Sequence, residues 1–217
     1  MTLKAHLYLS VRNPNSYFAA RQYHQLQQSH DIDIEVRTVY PLAIRYPEYF
    51  EKNSPLWIPY LIRDCHRYAE FMGMGFGLPK PDPIVQNLET LEISSEQPYI
   101  FRLARLLQLS TEQGAGLAFA DHLLSLIWDG QTTDWDQGDH LARVARAAGL
   151  DLAELDRQAK AEAAEIDQRI FANQDTLHEE GHWYTPSLVF NGELFFSESR
   201  YDLALWRLEQ HGLSKRI

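Results

Sequence analysis

Only one cysteine, Cys65, occurs in the 217 residues. A single thiol can neither close an internal disulfide nor build a thiolate zinc knuckle. Long apolar runs are missing too: none approaches the roughly 18 residues a membrane-spanning helix needs. Residues 1–10, MTLKAHLYLS, alternate in polarity and lack the unbroken apolar core of a signal peptide. Cations are in deficit, with 20 Lys and Arg against 30 Asp and Glu, a formal net charge of −10. With no basic stripe, binding to a phosphate backbone lacks its electrostatic drive. These absences point to a soluble cytoplasmic protein with neither nucleic acid nor membrane as partner. Apolar material is not scarce: 45% of residues are hydrophobic, enough for a sizeable core in one or two domains.

The chain opens on a strand pattern. Leu3, Ala5, Leu7 and Leu9 alternate with Lys4, His6, Tyr8 and Ser10. Asn13 is a good N-cap and Pro14 a natural first helical residue, because proline lacks the N–H that is orphaned there. Ala19, Tyr23 and Leu26 then share one helical face. Ile32, Ile34 and Val36 alternate with polar neighbours as a second strand. Strand, helix and strand predict a right-handed βαβ unit with parallel strands. From Ile58 to Thr176 the pattern is mostly helical, with segments at Tyr60–Met72, Pro98–Leu107, Gly116–Trp128, Asp139–Ala148 and Asp151–Leu177. Gly149 and Asp151 read as a helix stop followed by an N-cap. Residues 73–83, with Gly or Pro at every second position, read as a loop. Near the C-terminus, Asn191-Gly192 between two apolar runs predicts a β-hairpin. Ser199-Arg200-Tyr201-Asp202 has the form of a capping box opening a last helix. With the helical block removed, the order is βαβ–ββα, that of thioredoxin.

Three segments carry a family resemblance. Tyr8 to Tyr17, with Asn13-Pro14-Asn15-Ser16 at its centre, resembles the strand-to-helix segment of 2-hydroxychromene-2-carboxylate isomerases and kappa-class glutathione transferases. Gly181 to Ser187, containing Thr185-Pro186, resembles their segment with a cis proline. Asn191 to Arg200 is similar to their Asp-Gly-Glu-Leu-Phe stretch, and Tyr60 with Asp64 matches a spacing in the helical part. The wider group is the DsbA-like set of thioredoxin folds. The resemblance implies an α/β chain, a thioredoxin-like fold with an inserted all-helical domain. Residues 1–45 and 181–217 would form the thioredoxin-like part, and residues 46–180 the insert.

The resemblance also implies a chemistry. DsbA-like oxidoreductases place a Cys-x-x-Cys pair at the start of the first helix, where the helix dipole lowers the thiol pKa. Here those ends are Asn13 and Ser16, so disulfide exchange at this site is excluded for want of an attacking thiolate. The isomerase and transferase relatives carry at the first position a serine that donates to the glutathione thiolate. Asn13 is expected to take that part with its side-chain amide. A cap and nothing more is its bland alternative. Ser16 is the second candidate, against an ordinary locally bonded hydroxyl. Glutathione is the implied cofactor, lying along Thr185 and Pro186, with Glu198, Ser199 and Asn53 as further binding candidates. Asn53 also suits a plain solvated loop. Where relatives carry a lysine three residues before Tyr60, this chain has Trp57. The implied activity is glutathione-dependent isomerisation of an aromatic or chromene-like acid, with a homodimer as partner. A kappa-class-like transferase and a non-catalytic binding homologue are the alternatives.

Two further signals are weaker than they look. His178-Glu179-Glu180-Gly181-His182 has the H-E-x-x-H form of zinc proteases, which needs both histidines on one helical face. Gly181 and the nearby Pro186 predict that the helix ends inside the motif. Cys65 lies mid-helix and reads as a structural thiol. Trp57, Trp128, Trp135, Trp183 and Tyr184 could line a pocket for an aromatic substrate, or simply pack.

Overall fold

The computed structural model describes residues 2–46, 48, 54–87 and 92–216. Strand β1 (Leu3–Leu9) and strand β2 (Ile32–Thr38) flank helix α1 (Pro14–Ser29). They pair in parallel with Leu3 opposite Ile32 and Leu9 opposite Thr38, as the alternation predicts. Strands β3 (Ser187–Phe190) and β4 (Glu193–Phe196) form the hairpin, and β3 lies antiparallel to β1. The sheet order is β2-β1-β3-β4. Asn191 and Gly192 both hold positive φ, 51° and 77°, which a two-residue hairpin turn of this hand requires.

Between β2 and β3 run helices α2 (Leu42–Arg45), α3 (Trp57–Met72), α4 (Ile100–Glu112), α5 (Gly116–Trp128), α6 (His140–Ala147), α7 (Leu152–Ala161) and α8 (Ala163–Glu179). A 3-10 turn (Glu198–Arg200) and helix α9 (Tyr201–Gln210) close the chain. One hydrophobic core is continuous from the sheet into the helices. Leu7 and Leu9 of β1, Phe18 and Ala20 of α1, Leu106 of α4 and Leu123 of α5 all belong to it. Tyr23 of α1 meets Tyr201 of α9 edge-on, 5.3 Å between ring centroids. The opposite sheet face is smaller, with Tyr8 and Val189 under Leu177 of α8. No helix among the described residues is long and apolar enough to cross a membrane.

Three local expectations need correction. The Ser199 capping box is not formed. Ser197 caps the 3-10 turn instead, accepting from the Ser199 N–H, and α9 begins at Tyr201 with no side-chain cap. The segment 151–177 is two helices, not one, because the chain turns at Glu162. Both halves pack on α4, and α8 goes on to reach β2, a demand that overrides a sequence with no local breaker. Helix α4 starts at Ile100 and runs on to Glu112, and α3 begins three residues early, at Trp57. The stop at Gly149 (φ 77°) and the Asp151 cap on the Ala153 N–H, 2.8 Å, are as expected.

Candidate functional site

Asn13 sits where β1 ends and α1 begins. Its Oδ1 accepts from the Asn15 N–H at 3.0 Å, capping the helix. Its Nδ2 donates to the Thr185 carbonyl oxygen and lies 3.3 Å from the Thr185 hydroxyl. One amide therefore joins two loops 172 residues apart in sequence. The Thr185–Pro186 peptide is cis, as the resemblance implies, and a second cis bond, Lys80–Pro81, was not anticipated. The amide nitrogen of Asn13 thus faces Thr185.

Beside this junction opens a cavity of about 750 Å³. Asn13 and Thr185 form one wall, while Trp57, Leu61, Phe76 and Trp128 contribute an apolar wall from the helices and the 73–83 loop. Phe76 stacks on Trp128, 6.0 Å between centroids and 6° from parallel. Tyr17 steadies that loop by donating to the Gly75 carbonyl at 2.9 Å. Ser10 also lines the cavity; it is buried, and its hydroxyl has no hydrogen-bond partner among the described residues. Arg12 is fully engaged: Nε and Nη2 grip Asp82 at 2.5 and 2.6 Å, and the guanidinium lies over Trp128.

The remaining candidates are placed as follows. Ser16 is buried behind the helix start, its hydroxyl accepting from the Ser10 N–H at 3.2 Å. Glu198 is buried, and its carboxylate accepts from the Ser197 hydroxyl at 2.8 Å; burial holds its pKa above the usual range. Glu198, Ser199, Ser16 and Pro186 are not among the described residues that line the cavity. Asn53 lies outside the described residues. Cys65 is buried on α3, its thiol donating to Asn15 Oδ1 at 3.4 Å, and burial pushes its pKa up to about 12. In the His178–His182 segment the helix ends at Glu179. His178 Nε2 then pairs with the Tyr46 hydroxyl at 2.8 Å, and His182 Nδ1 accepts from the Tyr184 N–H at 2.9 Å. The two rings turn to separate partners.

A thioredoxin-type sheet, a helical block inserted before the cis-proline strand, and a site at the α1 N-terminus are the marks of one group. A family model for the DsbA-like thioredoxin domain matches residues 6–209. The chain belongs to that family. Among curated proteins, none matches the sequence of this DsbA-like chain. Solved structures do. A 2-hydroxychromene-2-carboxylate isomerase is similar with a TM-score of 0.72 at 15% identity, covering 96% of this chain and 95% of that one. A probable DsbA oxidoreductase from Streptomyces coelicolor gives 0.66 at 15% identity over 96% and 89%. The cytosolic disulfide reductase DsbM from Pseudomonas aeruginosa, solved with GSH, gives 0.56 at 11% identity over 96% and 100%.

Arg45 and Ser10 are cavity residues that the sequence reading did not single out. Arg45 sits in a short apolar run with no motif around it, so no local pattern marks it. Ser10 falls at the last alternation of β1 and carries no signal beyond its place before the helix.

Proposed function

We propose that this DsbA-like chain is a glutathione-dependent isomerase acting on an aromatic or chromene-like acid. The observation that carries the reading is the meeting of Asn13 and Thr185 at the wall of a large, mainly apolar cavity at the start of α1. The fold shared with the isomerase supports it. The disulfide chemistry named for other neighbours needs thiols that positions 13 and 16 lack. Glutathione, when bound, supplies a thiolate that adds to a conjugated double bond, permits rotation and is expelled again. The residues present fit that group in part. Thr185 offers its backbone, Ser10 an unpartnered hydroxyl and α1 the positive end of its dipole, which favours a thiolate. Asn13 holds Thr185 in place with its amide nitrogen and would reach a bound sulfur by exchanging one of those two contacts. The apolar wall shelters an aromatic substrate from water.

Titration of glutathione by calorimetry, with the thiol pKa followed by thiolate absorbance, tests this. Binding with a depressed thiol pKa is expected. Loss of one charge-assisted bond in Asn13→Ala should raise that pKa by roughly one to two units. Asn13→Ser should retain or improve turnover, since it restores the residue found in the relatives. A second reading has its own observation. Both polar contacts of Asn13 Nδ2 are to Thr185, which suits a binding homologue that does not activate a thiol. Binding with no pKa depression in the wild type would favour it. A kappa-class-like transferase would show instead as consumption of glutathione with an electrophilic substrate.

A further inference from the structure

The charges that line the cavity do not cancel. Asp82 is the one acidic residue among its described lining residues, and both its oxygens are taken by Arg12. Two cations remain: Lys80, exposed at the edge, and Arg45, half-buried at the end of α2. Arg45 makes no ion pair among the described residues. Its Nε donates to the Tyr40 carbonyl at 2.6 Å and its Nη2 to the Trp183 carbonyl at 3.1 Å. Those bonds fix the guanidinium between the end of β2 and the loop that carries Thr185. Nη1 is buried and meets no acceptor among the described residues. A half-buried guanidinium bonded, among the described residues, only to neutral carbonyls keeps an uncompensated desolvation cost, and burial depresses its pKa to about 10. An anion entering the cavity would offset that cost, and a turn of the side-chain end would give Nη1 a partner.

We propose that Arg45 is the anion-holding residue of this cavity, its guanidinium binding the carboxylate of the ligand that the cavity takes. The inference rests on the reading that this cavity is the ligand site, but not on glutathione being the ligand. A guanidinium suits the task because its planar donors match a carboxylate. The carboxylate can come from glutathione or from the aromatic substrate, and the two are separated by experiment.

The full chain is titrated by calorimetry with cinnamate, with its neutral isostere cinnamamide and with glutathione, as wild type, Arg45→Lys and Arg45→Gln. The wild type is expected to bind cinnamate more tightly than the amide by roughly tenfold to a hundredfold. Arg45→Gln abolishes that preference and leaves cinnamamide binding as it was, while Arg45→Lys keeps part of it. If glutathione, and not cinnamate, weakens in Arg45→Gln, the carboxylate held is that of glutathione and the proposal stands. Equal wild-type affinity for acid and amide, with glutathione indifferent to Arg45→Gln, overturns it. So does an equal loss of acid and amide binding in the variant, which would make Arg45 a brace for Tyr40 and Trp183. Should Arg45→Gln misfold, Arg45→Lys carries the comparison: a reduced acid–amide preference or weaker glutathione binding in it supports the proposal, and both unchanged overturn it. If glutathione binds no form while cinnamate still depends on Arg45, the isomerase reading falls and this one survives. If glutathione binds with a depressed thiol pKa but no ligand responds to Arg45, the reverse holds.

Discussion

Asn13 performs two structural tasks with the two ends of one amide. Its oxygen caps α1 and its nitrogen ties the helix start to Thr185. Replacing it with alanine removes both, with about 1 kcal/mol expected from the cap alone. Asn13→Ser keeps a capping oxygen but no amide nitrogen, so its smaller stability loss in urea unfolding measures the tie to Thr185 separately. An Asn13→Ser variant as stable as the wild type would show that the tie contributes nothing, and equal losses for the two variants that the cap does not. The cap was legible in the sequence because Asn-Pro at a helix start is a local signal. The tie was not, because 172 residues separate its ends and no periodicity connects them. Cys65 shows the same division. Its mid-helix place and structural role were readable, whereas its contact with Asn15, close behind the start of α1, was not. With the thiol buried and its pKa pushed up to about 12, the native protein should resist iodoacetamide at about pH 8 and react within the ordinary time once unfolded. Rapid alkylation of the folded chain would contradict that burial.

At the scale of elements, the strands and their turns were the most legible part. Period-two alternation marked β1 and β2, and Asn-Gly marked the β3–β4 hairpin with its two positive φ angles. The helical block was legible as helices and in its break at Gly149–Asp151, but not in the break at Glu162, which answers packing on α4 and β2 and not a local signal. The 73–83 loop was legible only as irregular. Its function in the fold is to hold Phe76 against Trp128 as a cavity wall, and close backbone approach makes that possible. The Gly77 N–H donates to the Trp128 carbonyl at 2.8 Å, and a Cβ at position 77 would lie 2.6 Å from the Gly130 Cα. Both sides of that contact are backbone, so no side chain can swing away. Gly77→Ala should therefore cost about 1–3 kcal/mol and loosen the Phe76 wall, weakening any aromatic ligand. Thermal unfolding and quenching of tryptophan fluorescence by acrylamide would read the two effects. Unchanged stability would mean that the loop and the α5 end separate freely.

For the whole molecule, the βαβ–ββα order with helices inserted was visible from the pattern alone, and the DsbA-like match confirms the fold. What the pattern could not show is how the helices are fastened to the sheet. One polar junction does so from inside. Tyr40, just after β2 and fully buried, donates its hydroxyl to Asp167 Oδ1 at 2.5 Å, and Arg105 of α4 grips both oxygens of the same carboxylate at 2.7 Å. Asp167 belongs to α8, so three elements share one carboxylate. Burial acts to raise the Asp167 pKa, but the bonds from Arg105 and Tyr40 outweigh it and hold the carboxyl below its usual range. A carboxyl with a depressed folded pKa contributes stability that is fully present above its unfolded pKa and is lost as pH falls through its folded pKa. Asp167→Asn removes the charge and leaves Arg105 without its counterion, a loss of roughly 2–3 kcal/mol for a partly buried, charge-assisted site. The gap between wild type and variant should be constant above about pH 5 and shrink as pH falls below about 4, where the carboxyl of the unfolded chain takes up its proton, until the folded carboxyl is protonated as well. Tyr40→Phe should cost less, about 1 kcal/mol, because the Arg105 grip survives. Urea unfolding at several pH values decides the matter: a gap that does not narrow in acid would show that Asp167 acts by shape and not by charge, and the junction would then be neutral packing between sheet and helices.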